Sequence, residues 1–107
     1  MPFDASVGLS GSSAVLHLSG RLTDADVRTL RGLVEQAVGR SPRRLVVDLY
    51  DLEEMVPAAL RCLAFAQQHL PATAEMVIEG ASEHLRGALE RSGLTQSMTV
   101  VTAAAPR

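Results

Sequence analysis

The chain has 107 residues, 47% of them hydrophobic, with a formal net charge of −2 and a pI near 5.9. That length suits one domain, able to bury roughly 65% of its unfolded surface, and leaves no room for a second; the charge balance supplies no basic stripe of the kind nucleic acid requires. Lys and Asn are absent, which excludes Schiff-base catalysis and the lysine-bearing phosphate loop of nucleotide hydrolases.

Phe3, Ala5, Val7 and Leu9 alternate with small or polar residues, and after the turn Ser10-Gly11-Ser12-Ser13 comes the apolar segment Ala14 to Leu18. Period two around a Gly/Ser turn predicts a β-hairpin. From Thr23 the spacing changes to a helical one. Val27, Leu30, Val34 and Ala37 share a face, Thr23 and Asp26 suit the cap and first turn, and Gly39 suits the stop. Arg40, Arg43 and Arg44 cluster in the Gly/Ser/Pro turn that follows and read as solvated.

Leu45 to Leu49 is a short apolar run holding Asp48, consistent with a largely buried strand. The residues after it, Tyr50 to Val56, read as an acidic loop. A helix should open on Pro57 and carry Ala59, Leu63, Ala66 and Leu70 up to Pro71. Met76 to Ile78 predict a further strand ending at Gly80. Ser82 can cap a helix bearing Leu85, Ala88 and Leu89, Gly93 ends it, and Met98 to Val101 predict the last strand before a frayed tail, 102–107.

This order is an N-terminal β-hairpin followed by βαβαβαβ, an α/β domain over residues 1–107. Short connections predict a mostly parallel sheet of about five strands with helices largely on one face. The other face is then partly open, which accounts for His17 and Asp48 inside strands.

The segments AVLHLSGRLT, RRLVVDLYDL and LERSGLTQSMTVV resemble, in order and spacing, the blocks of the STAS family, shared by anti-sigma factor antagonists and sulphate transporters. The resemblance covers roughly residues 14–101 and implies a regulator that binds an anti-sigma factor or a histidine-kinase-like ATPase. In that family an Asp-Ser-Ser-Gly signature carries the phosphorylated Ser. Here it falls on Val56, Pro57, Ala58 and Ala59, none of which matches. Between Pro42 and Ser82 the only Ser or Thr is Thr73, so no shift of register restores the phosphoacceptor. Proline keeps the helix start and removes the hydroxyl. The acid that the family favours after Gly-x-Leu is also displaced, to Asp24, behind Gly20-Arg21-Leu22-Thr23.

The resemblance therefore implies partner docking without a phosphorylation switch. The surface expected for it comprises Arg21, Asp24, Tyr50, Glu53, Glu54, Met55, Val56, Pro57 and Arg61. Met55 and Val56 stand either as a docking patch or as a staple into the core. STAS-like domains lacking the Ser also serve as accessory subunits of lipid-transport ABC complexes or of larger signalling assemblies, and that alternative stays open.

Catalysis is not expected. Asp48, Asp51, Glu53 and Glu54 match no metal-binding loop. His17, His69 and His84 are far apart in the chain and show neither metal spacing nor a nucleophile–base pair. Cys62, the single cysteine, sits in an apolar helical pattern as an inert thiol and can form no internal disulfide. No cofactor is expected, and with so few aromatics a small-ligand stacking pocket is poorly supplied. No stretch resembles a leader or a membrane span, so the expectation is a cytoplasmic protein without direct membrane insertion. Self-association into a homo-oligomer is left open.

Overall fold

The structure, a computed structural model, describes residues 1–93 and 99–102. The hairpin forms where alternation places it: β1 (Asp4–Ser10) runs antiparallel to β2 (Ser13–Leu22), with Ser10 opposite Ser13. The two-residue turn between them has Gly11 at φ +59° and Ser12 outside the positive region, the pattern of a type II′ turn with glycine at its first central position.

β2 is followed by a 3-10 turn (Asp24–Asp26) and α1 (Val27–Gly39). The Asp26 carboxylate accepts from both the N–H and the hydroxyl of Thr23, at 3.0 and 2.9 Å, which tightens the entry into the 3-10 turn and delays the α-helix to Val27. There follow β3 (Arg44–Met55), α2 (Pro57–His69), β4 (Glu75–Ala81), α3 (Glu83–Ser92) and β5 (Thr99–Thr102). Ser82 caps α3 by accepting from the Leu85 N–H at 3.2 Å, and Gly93 ends it in the left-handed conformation.

The strands lie in the order β1-β2-β3-β4-β5, with β2 to β5 parallel. The α/β class holds, and the sheet is mixed: the hairpin runs β1 against β2, while the other three pairings are parallel. Met98 lies outside the described residues, as does the tail 103–107, and β5 closes on Thr102.

One face of the sheet carries the core. Leu16, Leu45, Val47, Leu49 and Ile78 are fully buried against Leu30 and Val34 of α1, Leu63 of α2 and Leu85 and Leu89 of α3. Each such Leu contributes about 1.5–3 kcal/mol by leaving water. The opposite face holds the polar row Ser6, His17, Asp48 and Glu79, aligned by the pairing register across four strands.

The segment expected to be an acidic loop is strand. β3 continues to Met55 because it carries two bulges against β2: Asp48 to Asp51 spans what His17 to Ser19 spans, and Leu52 to Glu54 spans Gly20 to Arg21. Each extra residue resets which side chain points inward. Leu49 and Leu52, three apart, are therefore both buried, and the alternation that marks a strand is lost.

Candidate partner-binding surface

With β3 extended to Met55, only Val56 separates it from α2. Val56 is extended (φ −74°, ψ 156°) and Pro57 follows at the start of the helix. A proline is well placed there, since a helix's first N–H groups have no intrahelical acceptor and the ring holds φ near the helical value. The Val56 N–H donates to the Leu22 carbonyl at 3.2 Å, and the Ala59 N–H donates to the Val56 carbonyl at 2.9 Å. The end of β2, the end of β3 and the first turn of α2 are thus tied to one place. Positions 56–59 are the cap and first turn of α2, and Pro57 is exposed.

Beside this junction Arg21 Nε and Nη2 both donate to Glu54 Oε2, at 3.0 and 2.8 Å. The hydrogen bond to Glu54, helped by its charge, raises the Arg21 pKa further above its ordinary value. Both side chains are more than half exposed, so the pair fixes the shape of the surface more than it stabilises the fold. Glu53 meets the Met1 amino group at 3.6 Å, and Asp24 is exposed in the 3-10 turn. Arg21, Asp24, Glu53, Glu54 and Pro57 therefore cluster about one end of the sheet.

The remaining expected residues divide. Met55 and Val56 are half-buried and pack on the core, so the staple alternative describes them. Tyr50 stands apart: it is half-buried upstream on β3, with its ring directly against Gly80 of β4. Arg61 lies one turn beyond Pro57, exposed and on the same side of α2.

That side of α2 also carries residues outside the expected surface. Phe65 follows Arg61 by four, and His69 stacks on Phe65 with ring centroids 4.0 Å apart. The Arg31 guanidinium of α1 lies 5.2 Å from the centre of the Phe65 ring. Val27, Arg31, Ala58, Arg61, Cys62 and Phe65 line a shallow groove between α1 and α2. The spacing 57, 61, 65, 69 was a readable signal, a helical stripe that avoids every core position of α2. On the other flank of Pro57, Met55, Leu60, His84, Ala88 and Arg91 line a second groove toward α3. The surface around the start of α2 thus passes from acidic strand ends to arginine-lined helical grooves.

His17 Nδ1 lies 2.9 Å from Asp48 Oδ2 on the far face of the sheet, and Asp48 Oδ1 accepts from the Tyr50 N–H. Cys62 is buried, which pushes its thiol pKa up against the opposing pull of Arg31 and Arg61. Among the described residues no three of His, Cys, Asp and Glu converge as metal ligands, and no helix is long and apolar enough to cross a membrane.

A family model described as "Mlab, STAS domain" matches residues 5–102. Among solved structures, the chain is similar to an anti-sigma factor antagonist from Mycobacterium paratuberculosis, with 20% identity, 94% of this chain and 86% of that one covered, and a TM-score of 0.85. It is similar to a putative anti-sigma factor antagonist from Thermotoga maritima, with 10% identity, coverage of 94% and 87%, and a TM-score of 0.80. It also resembles the Bacillus cell fate determinant SpoIIAA in its phosphorylated form, with 18% identity, coverage of 94% and 92%, and a TM-score of 0.71. At such identities the likeness to these structures is one of fold. No curated protein matches the chain.

Proposed function

The chain belongs to the STAS domain family, and from that premise we propose that it is a non-catalytic, protein-binding regulator of the anti-sigma factor antagonist type that is not switched by phosphorylation at the start of α2. The observation that carries this reading is Pro57, exposed at the first helical position with Val56 before it and Ala58 and Ala59 after it. A phosphoryl group adds about −1.5 to −2 charges and can break an interface by repulsion and desolvation. Without a hydroxyl at positions 56–59, the domain stays permanently in the form that would dock.

The docking surface in this reading is the junction itself, with Pro57 and Arg61 on α2, the Arg21–Glu54 pair, Asp24 and Glu53. Its partner is an anti-sigma factor or histidine-kinase-like ATPase, and control rests on abundance or on the partner's state. Affinity capture with the intact chain from its source cell, followed by identification of the bound protein, tests the reading. Recovery of such an ATPase, lost when Arg21 and Arg61 are replaced, supports it.

A second reading, an accessory STAS subunit of a lipid-transport ABC complex, is favoured by the same missing hydroxyl. Capture of a permease together with its ATPase decides for it.

A further inference from the structure

We infer that β1 is an interface for a second copy of this chain, joined to it by antiparallel pairing about Val7 so that the two sheets become continuous. The edge itself supports this. β1 is the outer strand of the sheet among the described residues, and its seven residues pair with β2 without a bulge from Asp4 opposite Ser19 to Ser10 opposite Ser13. It contains no Lys, no Pro and one charge, Asp4, and so lacks the features that usually blunt an edge strand. Leu9 is 51% exposed and, with Met1, is one of two large hydrophobic residues left exposed among the described residues.

The backbone phase sets the register. In a two-residue hairpin the residues flanking the turn exchange both hydrogen bonds, and hydrogen-bonded pairs then alternate along the ladder. Ser10, Gly8, Ser6 and Asp4 therefore bond inward to β2, while Leu9, Val7 and Ala5 present their N–H and C=O groups outward. Pairing about a two-fold axis at Val7 sets Val7 opposite its own copy and Ala5 opposite Leu9, so all outward groups are satisfied mutually. Ala5, Val7 and Leu9 then extend one apolar stripe across both copies. Asp4 falls opposite Ser10, so no two like charges face each other.

The helix above the edge agrees. At about 100° per residue, the charged residues Arg28, Arg31 and Glu35 occupy the solvent and α2 sides of α1, where Arg31 lines the groove with Phe65. The opposite flank, which faces the β1 edge, carries Thr29, Leu33 and Gln36, with Arg40 its single charge at the helix end. Leu33 is half-buried against the core from that side. A second copy would lay an identical flank alongside, uncharged except for Arg40 at the helix end.

The test combines sedimentation equilibrium with cysteine trapping. The wild-type chain should dimerise between micromolar and near-millimolar concentration. Val7→Pro, which removes an outward N–H and spares the bonds to β2, should weaken the dimer at least tenfold while circular dichroism shows the fold retained. In the trapping arm, Val7→Cys places two Cα atoms about 5.5 Å apart, within disulfide reach. Leu9→Cys, though more exposed, places them about 14 Å apart at 3.4 Å per residue. Mild oxidation should therefore link Val7→Cys and not Leu9→Cys. A wild-type chain that stays monomeric throughout, or Leu9→Cys linking as readily as Val7→Cys, overturns the proposal. Should Val7→Pro fail to fold, the trapping pair decides alone.

Discussion

The Val56 N–H donates to the Leu22 carbonyl at 3.2 Å, so the start of α2 is fastened to the end of β2 rather than carried on a loose loop. Arg21, Asp24, Glu54 and Pro57 come from four elements, drawn together by that bond and by the Arg21–Glu54 pair. A surface so fastened can be pre-organised for a partner, which lowers the cost of ordering it on binding.

The Tyr50 ring of β3 packs directly on Gly80 of β4. Gly80 has φ +76°, and a Cβ there would stand 2.4 Å from Tyr50 Cγ. Gly80→Ala should cost about 2–4 kcal/mol, from left-handed strain and overpacking together, and lower Tm by roughly 10–20 °C. Gly39→Ala is the control: it has open space around it in a helix and should be neutral or slightly stabilising. Thermal unfolding of both variants checks this, and equal behaviour would contradict the packing described.

Arg21→Ala separates surface shape from stability. Its ion pair is exposed to solvent, so thermal unfolding should move little. Association with the captured partner should slow by roughly threefold or more and lose part of its salt dependence, as expected when a rim charge is removed. Stopped-flow association at two ionic strengths measures this; an unchanged on-rate removes Arg21 from the interface.

Cys62 offers a pH test. Its thiol pKa is raised by burial, so the folded state holds the proton more tightly than the unfolded chain. The resulting stability is fully present below the unfolded thiol value of about 8.5 and is lost as pH rises through the higher folded value. Stability should thus decline in the alkaline range, and a Cys62→Ala variant should decline less. Labelling by a thiol reagent at neutral pH should be slow until the chain unfolds.

The element order was readable because Leu30, Val34 and Ala37 in α1, and Ala59, Leu63 and Ala66 in α2, repeat at helical spacing, while Ser82 and Gly93 mark the ends of α3. The second half of β3 was not readable, because two bulges put Leu49 and Leu52 three apart, with Tyr50 and Asp51 between them and Glu53 and Glu54 following. For the same reason Tyr50 joined the expected surface although the pleat carries it to Gly80. The Arg31–Phe65 contact is not legible in the chain because it joins two helices and has no sequence spacing, whereas Phe65 itself stands on the legible stripe 57, 61, 65, 69 of α2. Pro57, which needs only its place at the start of α2, was legible from the chain alone.

Incubation with an anti-sigma kinase and ATP should leave residues 51–63 unmodified, since Tyr50 is the nearest hydroxyl residue and no Ser or Thr lies among them. Intact-mass analysis with peptide mapping reads this directly. A phosphoryl adduct mapped to that segment would overturn the assignment of Pro57 to the phosphoacceptor position.

Calorimetric titration of Pro57→Asp with the captured partner asks whether the Pro57 junction is the proposed docking surface. An acid in the first turn interacts favourably with the helix dipole by about 0.3–1 kcal/mol, and loss of proline's restraint on the unfolded chain costs up to about 1 kcal/mol, so Tm should shift by only a few degrees. A charge left unpaired in the interface should weaken binding at least tenfold, about 1.4 kcal/mol. Unchanged affinity in a folded Pro57→Asp variant would contradict that proposal and move the interface away from the start of α2.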